Sequence, residues 1–444
     1  METFLFKNIG LVGEDYGFHD GVNILVEDGR IARIGGDAPA GFSGEVYDGR
    51  GKVAMPGFFN THSHVPMTLI RGYGEGLSLH DWLFTRMFPF EALLSDEDCY
   101  WGSLLGIAEM LASGTVSFTD MYLHTPGIAK AVLESGIKAN LSHGYSTRPG
   151  SERFVDSPAW AGTRFLIGAA REDGSGRLVA DASVHAEYTF GEGKIAGEIA
   201  EFCGREGLRM QVHLSETKEE HEACKERRGM TPTAFFDAFG LFSVPTTASH
   251  CVWIEGGDFD ILASRGVTVA HCPSSNMKLG SGVAPVAKMI TKGIRVGIGT
   301  DGAASNNNLN ALEEANLAAL IQKGTTGDPL ILGPRELLKL ACRNGALSQG
   351  RADCGSIASG NRADIVVYDL EAPHLQPVYD VLSNLLFSAG AGDIVLTMVD
   401  GRVLYRDGEF TTIDISRVMA ESRRIRDEKL ARLAGAATAG KRGE

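Results

Sequence analysis

His62 and His64 stand two apart at the end of the run Pro56-Gly57-Phe58-Phe59-Asn60-Thr61-His62-Ser63-His64. On an extended strand, residues i and i+2 share a face about 6.5 Å apart, so both imidazoles can reach one ion at the ~2.0–2.1 Å zinc–nitrogen distance. A third nitrogen is available from His213 in Gln211-Val212-His213-Leu214-Ser215-Glu216, and a carboxylate from Asp301 in Gly299-Thr300-Asp301-Gly302. Three histidines and one aspartate make a mononuclear donor set, suited to Zn2+ and next to Fe2+, that leaves a position for water. The plainer role for Asp301 is a helix N-cap before the Asn- and Leu-rich segment that follows it.

Glu216, three residues past His213, can face the water without ligating the ion, which is the place of a general acid/base; its plainer role is a solvated loop glutamate. His250, in Ser249-His250-Cys251, can orient that water or take its proton, against the alternative of a satisfied core histidine.

These residues need elements that bring them together. Between about 56 and 360, short strand-like apolar runs alternate with helical segments, the pattern of a parallel sheet. Eight runs can be counted: 53–60, 115–120, 138–143, 182–186, 209–213, 246–250, 267–271 and 295–300. Eight is the number that closes a (β/α)8 barrel, whose active sites lie at the C-terminal ends of the strands. Those ends carry His62, His64, Asp120, His143, His185, His213, His250, His271 and Asp301.

The two chain ends follow another grammar. Asp28-Gly29-Arg30 and Asp400-Gly401-Arg402 each separate two apolar runs and read as hairpin turns. Isolated hairpins are marginal, so residues 1–55 and 361–412 are expected to pair into one small discontinuous β-sandwich flanking a barrel over 56–360. A C-terminal helix and tail are expected over 413–444.

Composition narrows the function classes. Hydrophobic residues make up 43% and charged residues 22% of the 444, which excludes disorder and collagen. Acidic residues outnumber basic ones, 56 to 42, for a net charge of −14, and such a surface repels phosphate backbones and anionic lipids. Nucleic-acid and membrane partners are therefore not expected. No apolar run reaches the ~18 residues of a membrane span, and the start METFLFKNIG does not read as a signal peptide, so a cytoplasmic protein is expected. Seven scattered cysteines without a C-x-x-C spacing read as reduced buried thiols.

The segments PGFFNTHSH, HLSE, ASHCVWI, HCPSSNMKLGSGVAPV, GIGTDGAASNNNLN and GNRADIVVYDL together resemble the amidohydrolase superfamily, in particular its methylthioadenosine/S-adenosylhomocysteine deaminases and their chlorohydrolase-like relatives, over essentially the whole chain. The resemblance implies a barrel with a flanking β-sandwich and one metal ion on His62, His64, His213 and Asp301, with Glu216 and His250 catalytic and not ligands. Binuclear members add a carboxylated lysine at a strand end. No lysine ends the third or fourth run here, and Lys138 opens its run, facing away from the site.

The resemblance further implies substrate contacts. The segment from Trp82 to Glu91 matches one whose glutamate holds ribose hydroxyls, which makes Trp82 and Glu91 candidates, and His185 matches a fourth-strand histidine that touches purine or sugar. Where relatives acting on S-adenosylhomocysteine carry an arginine after the third strand, this chain reads Leu141-Ser142-His143-Gly144, leaving Arg148 or Arg153 as the candidate clamp for a substrate carboxylate.

The implied reaction is removal of the 6-amino group of an adenine nucleoside or thionucleoside. Glu216 protonates N1, and Asp301 aided by His250 receives the water proton. Rival readings are another hydrolase of the same scaffold, acting on a triazine, a pterin or guanine, and a non-catalytic barrel. A small-molecule nucleoside is the expected partner, and a homo-oligomer is left open.

Overall fold

The computed structural model describes residues 3–37, 39–147, 153–191 and 193–440. Its centre is a parallel sheet whose strands we number β1 (Phe58–Ser63), β2 (Thr115–Tyr122), β3 (Lys138–Tyr145), β4 (Leu178–Ala180 and Ala182–Val184, split at Asp181), β5 (Met210–Leu214), β6 (Thr246–His250), β7 (Thr268–His271) and β8 (Arg295–Ile298). Each pairs in parallel with the next in sequence. Every residue of β1 and β2 is buried, as parallel strands covered on both faces must be. The surrounding helices bury apolar stripes of helical period: Lys194–Glu206 turns Ile195, Ala196, Ile199, Ala200, Phe202 and Cys203 inward.

The sheet closes into a barrel between β8 and β1. Asp301 N–H donates to the His62 carbonyl (3.0 Å), Thr300 N–H to Asn60 Oδ1 (3.1 Å), and Asn60 Nδ2 to Thr300 Oγ1 (2.7 Å). Closure at that distance requires small residues on β8 and just past it. A Cβ on Gly297 would sit 2.5 Å from the Thr61 methyl, and one on Gly299 2.9 Å from Cys272 Sγ.

The run 53–60 is not one strand. Lys52–Pro56 belongs to a second sheet, and β1 starts at Phe58. The handover occurs at Gly57, whose N–H donates to the Asp364 carbonyl (3.0 Å) while Phe58 N–H donates to Gly114 (3.0 Å). Continuous apolar character cannot reveal such a break, because both halves are buried.

That second sheet is mixed and takes strands from both ends of the chain, in the order Glu409–Phe410, Arg402–Arg406, Ile394–Val399, Ile365–Asp369, Lys52–Pro56, Thr3–Val12, Phe18–Glu27, Arg30–Ile34. It encloses its own core of Phe6, Ile9, Ile24, Ile31, Ile365, Val367, Leu396 and Met398. The two Asp-Gly turns touch. Gly29 (φ 77°) and Gly401 (φ 74°) lie so close that a Cβ on Gly401 would meet Gly29 Cα at 2.8 Å, so each turn needs glycine for its backbone and for its neighbour. The C-terminal helix Ile415–Gly440 packs on the helix Asp96–Ala112 through buried Val418 and Ile425 and a Lys429–Asp98 ion pair at 2.8 Å. No helix among the described residues is long and apolar enough to cross a membrane.

Candidate active site

Four side chains converge at the C-terminal mouth of the barrel. His64 Nε2 lies 3.2 Å from Asp301 Oδ1 and 3.2 Å from His213 Nε2, and His62 Nε2 lies 3.4 Å from the same Asp301 oxygen. Their far sides are already committed. His64 Nδ1 bonds the Met121 carbonyl (2.5 Å) and His213 Nδ1 the His185 carbonyl (2.7 Å), which leaves each Nε2 aimed inward. Asp301 Oδ2 accepts hydroxyls from Ser275 (2.6 Å) and Ser305 (2.7 Å), which leaves Oδ1 for the centre.

His62 Nε2 is buried and makes no hydrogen bond of its own. A buried nitrogen without a partner is costly unless something absent from the protein satisfies it. Charge points the same way. Burial pulls His62 down to about 4, in the neutral form a ligand needs. Burial also opposes charge on His64, but the Asp301 carboxylate outweighs it and holds that imidazole up, to about 9. A carboxylate that draws a proton onto its neighbour, beside an orphaned imidazole, fits a cation. Among the described residues, the two sets whose ligand atoms cluster tightly enough for an ion, His62/His64/Asp301 and His62/His213/His250, share His62 and so describe one centre.

Glu216 and His250 border this centre. His250 Nε2 faces Glu216 Oε2 at 3.7 Å, its Nδ1 bonds Asn276 Oδ1 (2.9 Å), and its ring stacks on His213 at 5.5 Å. Glu216 is 5% exposed, receives the Ser281 hydroxyl on Oε1 at 3.4 Å, and its carboxyl is pushed up chiefly by burial. The Glu216 backbone N–H donates to Glu220 Oε2 (2.7 Å), itself a buried carboxyl pushed up to about 8 by burial and by Glu216.

Ser215, His250, Cys251 and Asp301 have φ of 48°, 69°, 48° and 59°. Left-handed backbone is costly for residues other than glycine and clusters where a side chain must be re-aimed. Here it turns the chain sharply at the ends of β5, β6 and β8, where the candidate groups stand.

The remaining sequence candidates divide. His185 joins the cluster, its ring 5.0 Å from His213 and its Nδ1 3.2 Å from Thr189 Oγ1. Glu91 is buried behind Tyr122, whose ring lies 6.3 Å from His64, and burial raises its carboxyl. Among the described residues, Trp82 and Arg153 make no hydrogen bond, ion pair or ring contact with the cluster. Trp82 is 4% exposed and sits in the core against Gly74. The Arg153 side chain is 71% exposed, with Asp156 its ion-pair partner at 3.9 Å. A resemblance locates a segment but not the direction of each side chain in it. Arg148 lies outside the described residues.

Of the other strand-end groups, Asp120 accepts Ser63 Oγ (2.9 Å) and Val65 N–H (2.6 Å) and so fixes the end of β1. His143 lies against Gly162 of the helix Pro158–Asp173, and His271 is buried with neither ring nitrogen hydrogen-bonded. Lys138 is at the opposite end of the barrel, buried between Asp364 (2.6 Å) and Asp400 (2.7 Å). Sequence reasoning missed Ser275, Asn276, Ser281 and Ser305, although all four lie within the motifs HCPSSNMKLGSG and GTDGAASNN. Their signal was small polar residues just past strands that end in a ligand-type residue.

The model of the amidohydrolase family matches residues 53–404. A 5-methylthioadenosine/S-adenosylhomocysteine deaminase of Pelotomaculum thermopropionicum is 39% identical over 416 residues, covering 93% of this chain and 94% of that protein. A 5′-deoxyadenosine deaminase of Methanosarcina mazei is 41% identical over 413 residues, 92% and 94% of the two chains. Among solved structures, an adenosine deaminase from Xanthomonas campestris with bound zinc superposes with a TM-score of 0.91 at 28% identity, over 96% of this chain and 98% of that one. An atrazine chlorohydrolase from Arthrobacter aurescens shares the fold, at a TM-score of 0.87 and 21% identity over 95% and 100% of the two chains. A barrel with one His-rich centre at its C-terminal mouth defines a class of metal-dependent hydrolases, and within it this chain belongs to the amidohydrolase family.

Proposed function

We propose that the chain hydrolyses the 6-amino group of adenine nucleosides, adding water across the amidine and releasing ammonia and the hypoxanthine nucleoside. The observation that carries this reading is the pairing of a candidate cation centre with the buried carboxyl Glu216, raised by that burial, at its rim, within a chain about 40% identical over most of its length to relatives named as deaminases of such nucleosides.

His62, His64, His213 and Asp301 would hold one divalent ion, Zn2+ first and Fe2+ second, which supplies the Lewis acidity that makes hydroxide available near neutral pH. The rest is done by the chain's own groups. Burial raises the Glu216 carboxyl, which favours the acid form that donation to N1 of the base requires, and the Ser281 hydroxyl donates to its Oε1. His250, held by Asn276, and Asp301, held by Ser275 and Ser305, receive protons from the attacking water. Glu91 would accept sugar hydroxyls, and His185 would meet the base or sugar.

Ammonia release over a panel of adenosine, 5′-deoxyadenosine, methylthioadenosine, S-adenosylhomocysteine, guanine, a pterin and a triazine tests the reading. Adenine nucleosides are expected to turn over. With Arg153 paired to Asp156 in solvent, the first three are expected to equal or exceed S-adenosylhomocysteine in kcat/KM. Turnover confined to guanine, pterin or triazine would overturn the reading.

A further inference from the structure

One polar group at the mouth has no assigned task. Tyr188 stands in the turn Glu187–Thr189 that follows β4, three residues beyond His185. Its ring meets the His185 ring edge-on, with centroids 5.8 Å apart and planes at 89°. The side chain is not packed away: Tyr188 is 36% exposed, and its hydroxyl forms no hydrogen bond with any described residue. After the effect of burial, the charges that act on the hydroxyl are those of Glu216, Glu220 and Asp301.

The turn that carries it is held firmly. Glu187, 0% exposed, takes Arg227 (2.5 Å) and Arg228 from the helix Lys218–Arg228, the same helix whose Glu220 holds the backbone of Glu216. Arg228 also donates to the Phe190 carbonyl (2.9 Å), and Thr189 Oγ1 bonds His185. The Tyr188 backbone is thus clamped between residues with fixed partners, while its hydroxyl takes no hydrogen-bond partner among the described residues. A rigid element that presents one unpaired donor beside reactive groups is how binding specificity is built.

We propose that the Tyr188 hydroxyl binds the sugar of the nucleoside, on the β4 side of the mouth; the proposal rests on the function argued above. Position selects the sugar. The His213 and His185 ring centroids are 5.0 Å apart, and those of His185 and Tyr188 5.8 Å. The reacting carbon lies at the centre, the base extends past His185, and a group one ring farther out meets what the base carries. Glu91, behind Tyr122 on the β2 side, approaches the sugar from elsewhere, so the two contacts complement each other.

Tyr188→Phe keeps the ring and removes only the donor. The expected result is a three- to tenfold rise in KM for adenosine, about the worth of one neutral hydrogen bond, with kcat within twofold and metal content unchanged. Equilibrium binding of the product inosine is expected to weaken by the same factor, while binding of hypoxanthine, which lacks the sugar, stays as in the wild type. Unchanged KM and inosine affinity would overturn the proposal, and equal weakening of inosine and hypoxanthine would move the contact from sugar to base and overturn it as stated. Failure of the underlying function is told apart by the wild type, which in that case would release no ammonia from adenosine and bind no inosine.

Discussion

Asp301 and His62, the last and the first of the proposed ligands in the barrel, are joined twice: the Asp301 backbone N–H donates to the His62 carbonyl at 3.0 Å, and the Asp301 carboxylate lies 3.4 Å from His62 Nε2. The seam that closes the barrel and the proposed metal centre share this contact. Assembling the ligands therefore needs no loop ordering beyond folding itself. It also means that a ligand taken from inside the sheet can be removed without opening the seam.

His213 is such a proposed ligand, held within β5 by neighbours on both sides. His213→Ala should retain the wild-type circular dichroism spectrum with at most a modest loss of melting temperature, while metal per chain falls well below the wild-type value by elemental analysis. Full occupancy in the variant would remove His213 from the ligand set.

Glu216→Gln separates ligation from proton transfer. The amide keeps the shape, and Glu216 lies outside both tight donor clusters, so metal content should hold while kcat falls by ~10²–10⁴. Loss of metal along with activity would make Glu216 a ligand, and a near-normal kcat would place the proton elsewhere.

That these residues would converge could be read from the sequence. The ligands stand at strand ends because strand and helix alternate with a regular beat, and a histidine that closes an apolar run is visible as such. The bend at Ser215, His250 and Asp301 was not legible, since left-handed backbone at residues other than glycine leaves no mark in residue type. Nor was the split of β4 at Asp181 or the break of the run 53–60 at Gly57, because burial on both sides hides a change of partner strand. The pairing of the two chain ends was legible from the repeated Asp-Gly-Arg turn, but not that the two turns would touch.

Thr3–Val12 is an interior strand, paired to Phe18–Glu27 on one side and to Glu45–Asp48 and Lys52–Pro56 on the other. Deleting residues 1–50 removes it and bares the edge of Lys52–Pro56 together with Ile365 and Val367. The truncated chain should be recovered in the insoluble fraction although it keeps every proposed catalytic residue. A soluble, active truncation would show that the barrel stands without its partner sheet.

Asp181 offers a test by pH away from the chemistry. Burial pushes its carboxyl up to about 6 from an ordinary 3.8, even with Asn140 and Gln211 donating to it at 3.1 Å. The folded chain thus holds a proton that the unfolded chain has lost, so this group's contribution to stability is full below 3.8 and is lost as pH rises to about 6. Asp181→Asn, neutral throughout, should be more stable than the wild type above that window, by on the order of 2 kcal/mol, and should lose the advantage at its lower end. Urea denaturation at a series of pH values reads the difference, and an advantage that grows toward low pH would reverse the sign argued here.

The central claim is that one ion, held by His62, His64, His213 and Asp301, serves deamination of an adenine nucleoside. Metal-free protein titrated with Zn2+, with ammonia and inosine formed from adenosine measured at each addition, tests it most directly. Activity should be negligible at the start, rise in proportion to added metal, and level off at one equivalent per chain, with ammonia and inosine formed one for one. A break at two equivalents, undiminished activity without metal, or no inosine at any loading would contradict it.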